Sequence, residues 1–333
     1  MDVSKKEAYR LFWLVKGHIR TTDATVLSSV DSYFKRLWIA GSNGAPLSDY
    51  EEGFEEAWRQ KMDCRFIAAM DHSGGSIGGV LERYGREYTE DNKMDRVHEM
   101  RMRMVNAPAF NDSNIWGAIL YQDTVTRGMV NVLDEKGIDT FLKIDSGCDE
   151  DGTLKQFPVK QMLEFATNGI GPKIYGTKMR SIVKGVGMVH PVLKQQFTLA
   201  RTICDYGLVP IIEPEVPIDH PIKAEVEDAL MYHLQEFLDE FPGKCILKLT
   251  PPEVPNLYHN LTVFPNVERV VFLSGGYPTM EACRRLSMNE SITASFSRAL
   301  SEGLAHSQTD AEFNAKISQN IKMIKESCNA ISH

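Results

Sequence analysis

Residues 207–216 read G-L-V-P-I-I-E-P-E-V, a β-prone apolar run that ends on two carboxylates, Glu213 and Glu215. So short an apolar segment, rich in Val, Leu and Ile, predicts a buried strand. The same grammar, apolar at the start and charged or hydroxylated at the end, recurs at 66–71, 115–121, 140–145, 174–180, 208–215, 245–250, 267–274 and 292–297. Amphipathic or charged stretches long enough to hold helices separate these runs, as parallel strands require. Eight such runs are the number that closes a parallel barrel. The expectation is an α/β chain: a single (β/α)8 TIM barrel with an N-terminal helical extension.

Barrel enzymes build their sites at the carboxyl ends of the strands, so the polar endings matter. In a strand, residues i and i+2 share a face. Ile67, Ala69 and Asp71 therefore point together, as do Phe141, Lys143 and Asp145; Gly176, Lys178 and Arg180; Ile211, Glu213 and Glu215; and Ile246, Lys248 and Thr250. If these faces line the barrel interior, Asp71, Lys143, Lys178, Arg180, Glu213, Glu215 and Lys248 converge on one pocket.

The flanks differ. Residues 1–62 carry Ser48 as an N-cap, with Tyr50, Phe54, Trp58 and Met62 at helical spacing. They are expected to form a helical extension packed on the barrel, and the aromatic segment 9–13 to cover the chain's own core, with binding of a partner as the alternative. Residues 63–333 are left as the barrel, closed by a terminal helix over 309–329 with Phe313, Ile317, Ile321 and Ile324 on one side.

Composition sets the class. The 333 residues are 43% hydrophobic and 25% charged, enough for a large globular core, and the net charge of -8 argues against binding nucleic acid. The six cysteines are scattered without a C-x-x-C pair and read as reduced thiols. The longest apolar run near the N-terminus, 11–15, is far too short for a membrane span. A cytoplasmic protein with a small-molecule partner and no membrane partner is expected.

Lys248 lies in C-I-L-K-L-T, an otherwise apolar run. Burial and nearby cations favour the neutral amine, the form that attacks a ketone to make a Schiff base. A lysine that snorkels or pairs with a carboxylate is the competing account. Glu213 and Glu215 suit a proton shuttle beside a lysine partner, or ion pairs to Lys178 and Arg180. D-H-S-G-G-S at 71–76 offers hydroxyls and backbone N–H groups for a phosphate, where a flexible turn would explain the glycines alone. Ser274-Gly275-Gly276 repeats the theme at the seventh strand, with Arg298 beyond the eighth. Two hydroxyl-glycine loops with separate basic residues suggest a substrate carrying a phosphate at each end. The nine histidines form no metal-ligand spacing, so neither a metal nor any other cofactor is expected.

Several of these segments resemble the class I fructose-bisphosphate aldolases, the bacterial-type branch above all. They are F-I-A-A-M-D-H-S-G-G-S at 66–76, G-A-I-L-Y at 117–121, F-L-K-I-D at 141–145, G-T-K-M-R-S at 176–181, G-L-V-P-I-I-E-P-E-V at 207–216, L-K-L-T at 247–250, V-F-L-S-G-G-Y at 271–277 and A-S-F-S-R-A-L at 294–300. The resemblance spans about residues 60 to 305 in order. It implies that Lys248 forms the Schiff base with the C2 carbonyl of a ketose and that Glu213 is the acid/base. It further implies that Asp71 and Lys178 orient the substrate, and that Glu215 tunes the lysine pair. Lys143, Ser73 and Ser76 would face the C6 phosphate, and Ser274, Gly275 and Arg298 the C1 phosphate, with Arg180 in the same pocket. The family's homo-oligomers make self-association an expectation. The chain departs from the animal branch in having no tyrosine after Tyr277 and in carrying Phe296-Ser297 where that branch has tyrosine-glycine.

The implied reaction is the reversible cleavage of fructose 1,6-bisphosphate to dihydroxyacetone phosphate and glyceraldehyde 3-phosphate, a step of glycolysis and gluconeogenesis. Three alternatives differ in test: another phosphorylated ketose such as sedoheptulose 1,7-bisphosphate, told apart by kcat/KM; a barrel used mainly as an interaction scaffold, told apart by deleting residues 1–60; and a metal-dependent aldolase, told apart by chelator.

Overall fold

A computed structural model describes residues 63–168 and 174–328. The expected extension over 1–62 lies outside the described residues. Eight parallel strands run in the order β1 to β8: Phe66–Met70, Ile115–Leu120, Asp139–Lys143, Gly176–Ile182, Val209–Glu215, Cys245–Leu249, Val267–Phe272 and Thr293–Ala294. Every neighbouring pair is parallel and in sequence order. Between β8 and β1 the Ala69 N–H donates to the Phe296 carbonyl at 3.4 Å, bringing the edges together into a nearly closed barrel. The expected (β/α)8 architecture is what forms.

Helices fill the crossovers: α1 Ile77–Tyr84, α2 Lys93–Asn106, α3 Gln122–Thr126, α4 Met129–Glu135, α5 Val159–Thr167, α6 Val186–Asp205, α7 Lys223–Glu240, α8 Thr279–Ser287, α9 Arg298–Ser301 and α10 Asp310–Glu326. The terminal helix α10 starts on a capping box in which Thr309 and Glu312 satisfy each other's backbone N–H groups. Its predicted stripe of Phe313, Ile317, Ile321 and Ile324 is buried. The eighth strand is shorter than the sequence suggests. Ser295 still donates to the Phe272 carbonyl, but Ser297 leads directly into α9 and ends the ladder.

The strand alternation sorts two cores. Ile67, Ala69, Ile119, Phe141, Ile211, Ile246 and Val271 pack inside the barrel, and the alternate positions pack outward against the helices. The interior is sealed by Trp116, Phe141 and Tyr175, whose ring centroids lie 5.5 to 5.7 Å apart. The Arg269 guanidinium sits 4.3 Å over Trp116 and donates to Asp63 at 2.6 Å. With this apolar layer filling the barrel toward the amino ends of the strands, the inward-facing charges of Lys143, Lys178, Glu213 and Lys248 gather toward the carboxyl ends.

Candidate active site

Of the charged side chains that the alternation aimed inward, Asp71, Lys178, Glu213 and Lys248 meet in one buried cluster with Lys143 beside it. Arg180, expected in the same pocket, is instead exposed, because it lies at the solvent end of β4 and pairs with Glu215. Lys178 Nζ, on β4, lies 2.7 Å from Asp71 Oδ2, 3.3 Å from Glu213 Oε2 and 3.7 Å from Asp145 Oδ2. Lys248 Nζ, on β6, lies 3.1 Å from Glu213 Oε1. Glu213 thus bridges the two lysines, and its Oε2 has no aligned hydrogen bond despite its closeness to Lys178. That leaves a carboxylate oxygen able to take a substrate proton.

Burial alone would pull the Lys178 ammonium toward neutrality. The carboxylates of Asp71, Glu213 and Asp145 outweigh that and raise its pKa. The reverse holds for Asp71, where burial is overcome by Lys178, Lys248 and Lys143 and the carboxyl is held well below its ordinary range. Lys178 is therefore a fixed cation surrounded by anions. Among the described residues, Lys248 is paired to Glu213 alone. Of these two amines, Lys248 is the one with fewer carboxylates around it.

The rim extends the cluster. Lys143 Nζ donates to Ser73 Oγ at 3.1 Å and approaches Asp145 at 3.8 Å, while Ser76 Oγ donates back to the Ser73 carbonyl. Arg180 reaches outward to Glu215 Oε2 at 3.0 Å. Burial pushes the Glu215 carboxyl up against the opposing pull of Arg180. Ser274 and Gly275 follow β7, and Arg298 opens α9 after β8. Gly275 takes a φ of +54°, where a Cβ would also press on Ile218 and Leu273, so only glycine suits this turn. Among the described residues, no group of three or more His, Cys, Asp or Glu is placed to hold a metal ion.

No protein-family model matches the chain. A curated protein of Clostridium acetobutylicum named fructose-bisphosphate aldolase class 1 is 43% identical over 284 residues, covering 80% of this chain and 96% of its own length. The chain belongs to the class I fructose-bisphosphate aldolases. A second class I aldolase, from Synechocystis, is 42% identical over 290 residues, covering 82% of this chain and 97% of its own. Among solved structures, a fructose-bisphosphate aldolase of Plasmodium falciparum, in complex with TRAP and a small-molecule inhibitor, superposes with a TM-score of 0.65. It is 20% identical, covers 82% of this chain and 94% of its own, and agrees in fold.

Three residues of this class I aldolase chain escape the sequence-level choice of site. Asp145 approaches both Lys178 and Lys143, and accepts from the backbone N–H groups of Gly147 and Arg180. Its signal was the shared face with Lys143. Gln196, buried on α6, accepts from the Glu213 N–H at 3.0 Å and donates to the Glu213 carbonyl at 3.2 Å, pinning the backbone that carries the bridging carboxylate. Arg101, buried on α2, donates to the His72 carbonyl and to Thr124 Oγ1, both at 2.7 Å. Burial brings its pKa down to about 10. A polar residue on an apolar helix stripe was the available hint for both.

Proposed function

We propose that the chain cleaves fructose 1,6-bisphosphate reversibly to dihydroxyacetone phosphate and glyceraldehyde 3-phosphate through a Schiff base on Lys248. The observation that carries this is the division of labour between two buried lysines that share Glu213: Lys178 is locked as a cation by three carboxylates, and Lys248 has one. The neutral Lys248 amine adds to the C2 carbonyl, giving a carbinolamine. Glu213, 3.1 Å away, protonates the departing hydroxyl, and water leaves to form the iminium. The iminium draws the electrons of the C3–C4 bond as that bond breaks, the C4 hydroxyl loses its proton, and the aldehyde departs. The enamine left behind takes a proton at C3, and water then releases dihydroxyacetone phosphate and restores the amine.

In this reading Asp71 and Lys178 orient the substrate hydroxyls, and Glu215 and Arg180 shape the rim. Lys143, Ser73 and Ser76 take the C6 phosphate, and Ser274, Gly275 and Arg298 the C1 phosphate. The lysine supplies the electron sink, so the reaction needs no metal. No helix among the described residues is long and apolar enough to cross a membrane; cytoplasmic residence, self-association, and packing of residues 1–62 on a barrel formed by 63–333 complete the proposal.

The deciding experiment is borohydride reduction in the presence of dihydroxyacetone phosphate, followed by peptide mass spectrometry over residues 244–258. A stable adduct on Lys248 with loss of turnover is expected. A folded, ligand-binding chain that yields no lysine adduct would refute the Schiff base.

A further inference from the structure

The barrel is held unevenly around its ring. Neighbouring strands from β1 to β8 pair as parallel ladders, whereas the edge between β8 and β1 is joined through the Ala69–Phe296 hydrogen bond, and β8 itself is two residues long. The segment that leads into β1 and the segment that leaves α10 meet at the amino end of this seam. Cys64, two residues before β1, donates its thiol to the Cys328 carbonyl at 3.8 Å, although 264 residues separate the pair in sequence. Cys328, two residues after α10, has its Sγ 3.6 Å from the Ile292 carbonyl oxygen, immediately before β8. Cys328 therefore touches the start of β8 on one side and Cys64 on the other.

The surrounding contacts hold the two thiols together. Lys325, in the last turn of α10, donates to the Ser113 carbonyl at 2.7 Å and to Asn114 Oδ1 at 3.2 Å, while the Asn114 carbonyl accepts from the Phe66 N–H that opens β1. The end of α10 and the start of β1 are thus tied to the same turn. Both cysteines are half-buried and present as thiols. Cys64 also lines a concavity of about 410 Å³ with Asn114, Lys322, Lys325 and Glu326, so a small reagent from solvent meets it first. The Cys64 thiol, hydrogen-bonded to Cys328, holds the Cys328 pKa well above its ordinary range, and burial adds to this. The first proton of the pair therefore leaves Cys64. Cys245, near Cys204, is by contrast fully buried and out of reach of such a reagent.

We propose that Cys64 and Cys328 form a reversible disulfide that staples the seam between β8 and β1, made by exchange with a low-molecular-weight disulfide. The Cys64 thiolate attacks one sulfur of the reagent, breaking its S–S bond and releasing a thiolate. That thiolate takes the Cys328 proton, and the Cys328 sulfur then attacks the Cys64 sulfur of the mixed disulfide and expels the second thiolate, which takes up the proton that Cys64 lost. The protein gives up an electron pair, and the reagent leaves as a pair of thiols. Cytoplasmic disulfides are characteristically transient devices of this kind. The new bond closes a loop that holds every strand and helix from β1 to α10, so it strongly restricts the unfolded chain. It lies at the opposite end of the barrel from the lysine cluster and does not depend on the reaction at Lys248.

The full chain is equilibrated in glutathione buffers from reduced to oxidised, quenched with acid, alkylated and digested for mass spectrometry, alongside Cys64→Ser and Cys328→Ser. Oxidised glutathione is expected to give a peptide pair joined through Cys64 and Cys328 within one chain, and reduced glutathione to reverse it. In urea the oxidised parent chain should show a higher midpoint than the reduced one and an unfolding equilibrium constant lower by roughly 30-fold or more, a gain that both serine variants lose. The cross-link is read on the parent chain itself, so it stands whether or not the serine variants fold. A glutathione adduct on Cys64 that never resolves, a cross-link between two chains or through another cysteine, or a cross-link that leaves the urea midpoint unmoved would each overturn the proposal.

Discussion

Glu213 is the residue that joins the two lysines, because one carboxylate lies within reach of both amines. Glu213→Gln keeps the shape and the bond to Gln196 through the backbone but removes the proton acceptor. Its kcat is expected to fall by roughly 10² to 10⁴ with the borohydride adduct still formed, though slowly. A drop in kcat below tenfold would assign the proton transfer elsewhere. His72 makes a second residue-scale prediction. Burial, with the charges of Arg101 and Arg83 reinforcing it against Asp71, lowers its pKa to about 4 from 6.5. The folded imidazole is therefore neutral where the unfolded one charges, and stability declines as pH falls from about 6.5 to about 4, then levels because both states are protonated. The loss amounts to at most about 3 kcal/mol. Urea unfolding from pH 7 to 4 should show a shallower decline in His72→Gln than in the parent chain.

At the scale of elements, close backbone approach and buried charge set the tolerances. Gly176 opens β4 against β5 and the ring of Phe141, and a Cβ there would run into the Val209 carbonyl oxygen. Gly176→Ala cannot be accommodated by turning a side chain, so the strand pair must separate. The substitution should cost several kcal/mol, in the upper range for single changes, and lower the urea midpoint. A second element-scale feature joins the loops after β5, β6 and β7. Buried Lys223 pairs with Glu227, donates to the Pro251 carbonyl at 2.8 Å and approaches Glu253 at 3.2 Å; Glu253 in turn accepts from Arg285 and from the Tyr277 hydroxyl. Removing Lys223 strands the Glu227 carboxylate, whose pKa burial already raises. Lys223→Met should destabilise the chain by about 3–5 kcal/mol at pH 7. The deficit should shrink as the pH is lowered, because burial raises the Glu227 pKa and a protonated Glu227 no longer buries a charge. A deficit that does not change with pH would mean that lost packing, not lost pairing, is responsible.

Across the whole molecule, the barrel is a stack of an apolar layer and a charged layer, and each depends on the other. Phe141 is fully buried between Trp116 and Tyr175 and two residues before Lys143 on the same face. Phe141→Ala should destabilise the chain by about 3–5 kcal/mol through the cavity left inside a ring of strands that cannot collapse freely. It should also lower kcat, since β3 carries Lys143 toward Ser73. Retained kcat in a chain whose urea midpoint has fallen would mean that the two layers are mechanically independent.

Much of this arrangement was legible in one dimension. Period-two alternation is a local property of a strand, so Asp71, Lys143, Lys178, Glu213 and Lys248 could be assigned to one interior from their spacing alone. The strand count, the parallel order and the family followed from the same short runs. Neither Arg101 under His72 nor Gln196 behind Glu213 was legible so. These pairs join helices to strands or to the loops after them, across long separations in sequence. Which way a helix turns its polar residues is decided by how it packs, and packing is a property of the folded whole. The sequence by itself therefore determined the barrel, its family and the interior charges. The tertiary structure alone decided which lysine is locked as a cation, because that depends on how many carboxylates from other strands come within ion-pair distance of each amine.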